Sequence, residues 1–191
     1  MDPLDKFRQW LSDELELSKV RIPTACCLST IGTDGYPNAR FVAFKGIENG
    51  KFVITGSVSS RKGVELHHVN RAALTFWWAT TERQIRIQGS AAILDPHLAD
   101  KYFAQRNRES QIVSIVSDQG QPLHNLEMLH HKFQDVESRS ENQTLKRPEN
   151  WGGYAIQPLR IEFLEFKSTR FHERLLYELN KGIWTETMLQ P

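Results

Sequence analysis

Residues 168–177 read Ser-Thr-Arg-Phe-His-Glu-Arg-Leu-Leu-Tyr, with two arginines and a histidine inside five positions. The backbone assigned to this stretch decides the class of fold around it. On a helix, Arg170 and Arg174 are like-charged i,i+4 neighbours, a mildly unfavourable pair, and His172 points elsewhere. On a strand, Arg170, His172 and Arg174 share one face while Phe171, Glu173, Leu175 and Tyr177 take the other. The next residues, Leu-Asn-Lys-Gly-Ile-Trp (179–184), carry the signature of a hairpin turn into a short last strand. We therefore read 168–177 as a strand. Its charged face has two readings at this point, a solvated surface or one wall of an anion site.

Outward from that strand, the same alternation recurs. Strand character covers Thr24–Ile31, Ala39–Ile47, Lys51–Ser57, Ala72–Ala79, Arg83–Leu94, Tyr154–Phe166 and Trp184–Leu189, with turn signals at Thr33-Asp-Gly35 and Glu48-Asn-Gly50. Helical spacing appears first at Leu4, Phe7, Leu11 and Leu15, where Asp2 is a cap and Pro3 opens the first turn. A short helix is expected over Ser60–Val69. Three more are expected over Pro96–Gln105, capped by Asp95, Ser110–Ser117 and Pro122–Val136. Ser138–Asn150 is polar and reads as a mobile loop. Short strands joined by tight turns point to an antiparallel barrel decorated by helices rather than a βαβ array. The expected organisation is one domain over 1–191, with an N-terminal helix in 1–20, a helical insertion in 95–137 and the loop at 138–150.

Composition narrows the function. With 39% hydrophobic residues among 191, the chain can bury a substantial core, and its net charge of +1 lacks the basic excess of a general nucleic-acid binder. No apolar run is long enough to span a bilayer as a helix, and the start, MDPLDKFRQW, is charged rather than signal-like. A cytoplasmic location is expected, with no membrane or nucleic-acid partner. Cys26 and Cys27 are adjacent, so no disulfide framework is expected. Neither His67-His68 nor His130-His131 has metal-ligand spacing.

Several segments could carry chemistry. In Val58-Ser-Ser-Arg-Lys-Gly63, a strand runs into a helix. Backbone N–H groups at the helix start, with Ser60, Arg61 and Lys62, suit an anion, although the P-loop glycines are lacking. Arg40 and Lys45 lie five apart and so on opposite faces of a regular strand; sharing a site requires a bulge or a role at each end, and on spacing alone they read as two exposed strand charges. Gln84 has an amide that can read a heterocycle. In Lys-Tyr-Phe-Ala-Gln-Arg-Asn-Arg-Glu-Ser (101–110), Tyr102 and Arg106 share a helix face and Ser110 is placed to cap the next helix. Together they form a second phosphate cradle or, on the bland reading, a tyrosine packed under an arginine stem.

The order of these segments is more specific than any one of them. "ARFVAFK" (39–45), "SSRKG" (59–63), "ERQIRIQG" (82–89), "KYFAQRNRESQI" (101–112), "NWGGY" (150–154), "IEF" (161–163) and "RFHERLLYE" (170–178) are collinear. Over Leu4 to Pro191 the chain resembles the pyridoxine/pyridoxamine 5′-phosphate oxidase family. The resemblance implies a mainly β, α+β fold: an antiparallel, Greek-key FMN-binding split β-barrel with peripheral helices. It also implies a homodimer with FMN at the interface, and oxidation of a phosphorylated B6 vitamer to pyridoxal 5′-phosphate, with O₂ as acceptor and hydrogen peroxide as product.

Carried over by position, the resemblance gives FMN contacts to Arg40, Phe41, Val42, Lys45, Thr55, Gly56, Ser60, Arg61, Lys62, Gln84, Gln119, Leu164 and Arg174. It gives the substrate phosphate to Lys45, Tyr102, Arg106 and Ser110, and the substrate ring, hence catalysis, to Arg170 and His172. Departures also stand out. Leu164 replaces the usual tryptophan, Gly120 a serine, and Thr55-Gly56 an aromatic residue and a threonine. The family's basic N-terminal extension is expected to be missing. Two other functions stay open: a flavin oxidase resembling those of phenazine biosynthesis, which share the ending Leu189-Gln-Pro191 but generally lose the Tyr-x3-Arg-x3-Ser cradle, and a non-catalytic flavin- or vitamer-binding protein.

Overall fold

The structure, a computed structural model, describes residues 1–141 and 143–191. Eight strands form one antiparallel sheet: β1 (Ala25–Ile31), β2 (Pro37–Glu48), β3 (Lys51–Ser57), β4 (Arg71–Trp78), β5 (Arg83–Ile93), β6 (Trp151–Glu165), β7 (Glu173–Asn180) and β8 (Ile183–Leu189). Their spatial order is β3-β2-β1-β4-β5-β6-β7-β8, and β3 also pairs with β6. The sheet therefore closes into a six-stranded barrel, with β7–β8 continuing beyond it. Strand β4 returns beside β1 after the β1-β2-β3 meander, which is Greek-key order. Two hairpin turns take left-handed backbone at both central residues, Asn49-Gly50 (φ 50° and 76°) and Lys181-Gly182 (φ 50° and 81°). That geometry matches strand twist and favours asparagine and glycine.

Helices are α1 (Pro3–Leu17), α2 (Arg61–His68), α3 (Pro96–Ala104), α4 (Arg108–Val116) and α5 (Leu126–Arg139). Helix α1 closes one end of the barrel. Asp2 accepts from the N–H of Leu4 at 2.7 Å as the cap. Phe7 is fully buried, its ring edge-on to Phe44, Phe52 and Phe76 at 5.4, 4.9 and 5.1 Å centroid separations. The buried stripe is Phe7, Trp10 and Glu14, so Leu15, expected inside, is exposed. The helix is rotated by Glu14, whose carboxylate accepts both the N–H and the hydroxyl of Thr81 in the β4–β5 turn.

Other sequence expectations need correction. The last helix starts at Leu126, not 122, because Asn125 caps it, and it runs to Arg139, inside the expected loop at 138–150. Residue 142 of that loop lies outside the described residues. Asn107, not Ser110, caps α4; the Ser110 N–H is the donor to it. The opening stretch is a strand only from Glu173 onward. Arg170 has φ 68° and its N–H closes a turn onto the Lys167 carbonyl. That left-handed residue interrupts the alternation, so Arg170 and His172 lie in a loop ahead of β7 and only Arg174 joins the ladder.

Candidate functional site

Two cationic sites form around β2–β3, one at Lys62 and one at Lys45. The first lies where β3 runs into α2. The Ser60 hydroxyl donates to the Ser57 carbonyl at 2.7 Å and accepts from Lys62 Nζ at 2.7 Å. Lys62, only 8% exposed, also donates to Gln119 Oε1 at 3.1 Å, across 57 residues of sequence. Among the described residues no carboxylate pairs with its ammonium. Burial, with Arg40 nearby, pushes its pKa down to about 8. A Cβ on Gly56 would stand 3.1 Å from Lys62 Cε, so the missing side chain leaves the amine its space.

Glu65, 2% exposed on α2, organises the rest of this site. It accepts from Thr30 at 2.5 Å, Asn38 at 2.7 Å, and Arg40 and Arg61 at 2.8 Å each. Burial pushes its carboxyl up, but the bonds from Thr30, Arg61 and Arg40 outweigh this and hold it below the usual range. Arg61 also reaches Asp34 at 3.3 Å and stays mostly exposed. The two guanidiniums are thus held and partly neutralised by one carboxylate, while Lys62 is left with neutral oxygens. A buried ammonium beside a helix start suits an oxyanion such as phosphate.

The second site depends on an irregularity in β2. The β2–β3 register shifts between Phe44 and Gly46, which makes Lys45 the extra residue of a bulge. The bulge belongs to Lys45 alone, since Arg40, at the other end of the strand, is held by Glu65 in the first site. Burial lowers the Lys45 pKa, and Arg106 lowers it further. The Arg106 guanidinium lies 5.2 Å from the Trp151 ring and donates to the Ser110 carbonyl at 3.2 Å. Its Nε is buried with no partner. Neither cation pairs with a carboxylate among the described residues. Tyr102 donates its hydroxyl to Glu48 at 2.8 Å, and burial plus that bond raise its pKa to about 12.

The remaining expected residues group along the outer face of the sheet. Trp77, Gln84, Leu164, Arg174 and Leu189 are successive cross-strand partners from β4 to β8. Glu162, 2% exposed, accepts from Arg174 at 2.6 Å and from Arg86 at 2.5 Å. Burial raises its carboxyl pKa, but these two arginines prevail and lower it. In the loop before β7, His172 Nδ1 accepts the Lys167 N–H at 3.1 Å, and Arg170 is exposed. Phe41 is 79% exposed, whereas Val42 packs inward against the barrel core. Thr55 is half-buried in β3 opposite Gly153.

Sequence reasoning selected cations and missed the carboxylates that orient them. Glu48, Glu65 and Glu162 each hold a singled-out residue, and only Glu65 left a trace, its i,i+4 spacing from Arg61 on α2. Among the described residues, no group of three or more His, Cys, Asp or Glu side chains is placed to hold a metal ion.

Comparison with known proteins bears on the family and the fold. Residues 14–140 match the family described as pyridoxamine 5′-phosphate oxidase. The chain belongs to the pyridoxamine 5′-phosphate oxidase family. Residues 151–191 match the pyridoxine 5′-phosphate oxidase C-terminal dimerisation region, which starts at β6. The pyridoxine/pyridoxamine 5′-phosphate oxidase of Leptospira biflexa is 37% identical over 190 residues, covering 100% of this chain and 89% of that protein. Its namesake from Zymomonas mobilis is 36% identical over 190 residues, 100% and 98% of the two chains. PhzG from Burkholderia lata 383, solved with tetrahydrophenazine-1-carboxylic acid, superposes with a TM-score of 0.92 at 31% identity, over 99% of this chain and 92% of that one. An FMN-binding relative from Nostoc punctiforme shares the fold with a TM-score of 0.80 at 16% identity. The architecture is therefore the split barrel of this family.

Proposed function

We propose that this protein is an FMN-dependent oxidase that converts pyridoxine 5′-phosphate or pyridoxamine 5′-phosphate to pyridoxal 5′-phosphate. One observation carries the reading. The fold holds two separate cationic sites, buried Lys62 in one and half-buried Lys45 with Arg106 in the other, none of the three paired with a carboxylate among the described residues, and the reaction brings together two phosphates. Lys62, Ser60, Arg61 and Gln119 would hold the FMN phosphate, Arg40 and Glu65 fixing its surroundings. Gln84 and Arg174 line the ring end, with Leu164 between them. Lys45, Tyr102, Arg106 and Ser110 would hold the vitamer phosphate, and Arg170 and His172 the vitamer ring.

Bound FMN supplies the hydride acceptor for the substrate C4′ and the route to O₂, yielding hydrogen peroxide. The protein's share is positioning. Fixing the phosphate at one end and the ring at the other turns a bimolecular encounter into an oriented one. The buried Nε of Arg106 has no partner among the described residues, and an acceptor on a bound phosphate would satisfy it. The molecule is expected to act as a homodimer, in keeping with its dimerisation-region match.

A second reading is supported by the Burkholderia lata structure: the same scaffold acting on a reduced tricyclic ring. The cradle of Tyr102, Arg106 and Ser110 favours a phosphorylated substrate. The deciding experiment is to load the purified protein with FMN and add pyridoxine 5′-phosphate under air. Peroxide and pyridoxal 5′-phosphate are the expected products. A yellow protein inert to both vitamers but oxidising a dihydrophenazine would replace the first reading by the second, and failure to bind FMN would defeat both.

A further inference from the structure

Leu164 stands where the resemblance leads one to expect a tryptophan, yet an aromatic ring is present two residues on. Phe166 continues the line of β6, its N–H donating to the Glu82 carbonyl at 3.0 Å. On an extended backbone, residues two apart share a face. Phe166 thus follows Leu164 on the outer face, beside Trp77, which lies across from Gln84. The Phe166 ring meets Trp77 edge-on, at 5.2 Å and 84°. Its other side meets the imidazole of His172 at 4.8 Å and 52°. Three rings therefore run in a row from the flank of Gln84 to the loop that holds Arg170.

His172 is held by a second contact that determines its proton. Its Nδ1 receives the Lys167 N–H. A backbone N–H can only donate, so Nδ1 is bare and the neutral ring carries its proton on Nε2. The loop's other closure, Arg170 N–H to the Lys167 carbonyl, fixes the same short segment.

We propose that Phe166, backed by Trp77, is a positioning residue of this active site: its ring braces the imidazole and holds His172 as an Nε2–H donor. The inference rests on the reading in which His172 faces the vitamer ring. It gives that residue a chemical role, donation of a hydrogen bond to an acceptor atom on a heteroaromatic substrate. Trp77 is half-exposed, so it can brace Phe166 without serving the barrel core.

The test uses the flavin-loaded protein with ¹⁵N-labelled histidine, the signals of His172 being assigned by their loss in His172→Gln. In the parent, Nδ1 should appear as an unprotonated acceptor and Nε2 as protonated. Phe166→Ala should let the ring average between tautomers, while Phe166→Tyr retains the parent pattern. Trp77→Leu, a change at a half-exposed site that the fold tolerates, should give a partial version of the same effect. FMN content should stay unchanged, and kcat for pyridoxine 5′-phosphate should fall about tenfold in Phe166→Ala, the worth of an aromatic pair, with little change in KM. Parent-like His172 signals in Phe166→Ala and Trp77→Leu would overturn the proposal, as would activity lost only in step with FMN. If the parent protein does not oxidise the vitamer, the functional reading fails, and the imidazole signals still decide this inference on their own.

Discussion

Lys62 keeps its ammonium where water scarcely reaches it, and the consequence is a pH signature. Its lowered pKa means that the folded, flavin-free protein releases this proton near pH 8, while the unfolded chain holds it to about 10.4. Between those values the unfolded state binds more protons, so this group's contribution to stability rises with pH. Phosphate binding favours the charged amine, so FMN affinity should be flat below about pH 8 and weaken by up to about tenfold per unit above it. Fluorescence titration of FMN from pH 7 to 10 checks this. Lys62→Met should bind weakly and lose the slope, and riboflavin, which lacks the phosphate, should show none; an unchanged slope in Lys62→Met would exclude this amine. At the other site, Arg106→Ala removes a charge-assisted contact and should raise KM for the vitamer by about 10- to 100-fold with FMN content intact. Steady-state kinetics would refute the cradle if kcat/KM did not move. The cations at both sites were legible in the sequence, because their types and order are unusual. The carboxylates that aim them were not, since Glu48 meets Tyr102, and Glu162 meets Arg86 and Arg174, only across strands or helices.

Helix α1 acts as a stopper for the barrel, through one side chain above all. Phe7 touches four other rings and is fully out of water, so Phe7→Ala should destabilise the protein by about 3–5 kcal/mol. Urea denaturation measures this directly, and a loss below about 1 kcal/mol would mean that the barrel end holds without its plug. The helix was legible from its cap and spacing, but its rotation was not. Trp10 and Glu14 share the buried stripe because the β4–β5 turn presents Thr81 to a carboxylate, a partnership 67 residues apart. Strand β7 teaches a similar lesson. The alternation of charge across 168–177 is genuine, yet alternation records composition and not pairing. The chain pairs only from Glu173, after a left-handed Arg170 and a loop closed by His172. The spacing of Arg40 and Lys45 left a bulge or a role at each end of the strand open, and the structure has both: a bulge at Lys45, and Arg40 held apart by Glu65.

At the scale of the molecule, the strand count and the antiparallel class followed from turn signals, while barrel closure came from a pairing that no local pattern encodes, β3 with β6. That long strand has a further consequence. Its fifteen residues run about 50 Å at roughly 3.3 Å per residue. One end carries Trp151 under the Arg106 guanidinium; the other leads into the loop of Arg170 and His172. The strand is paired along its length and so keeps Arg106 and the loop of Arg170 and His172 at its two ends within one chain. Under the proposed roles, and with a dimerisation region that begins at this strand, each centre is expected to draw its ring-facing residues from the companion subunit. Such shared ownership can be tested by genetics in a tube. Assayed at substrate well below KM, Arg106→Ala and Arg170→Ala homodimers should each keep no more than about a tenth of parental activity. Unfolded together and refolded as an equal mixture, they should regain about a quarter of parental activity, because half of the dimers are hybrids and each hybrid gathers both defects into one centre, leaving the other whole. No recovery from a mixture shown to contain hybrids would mean that each chain works alone.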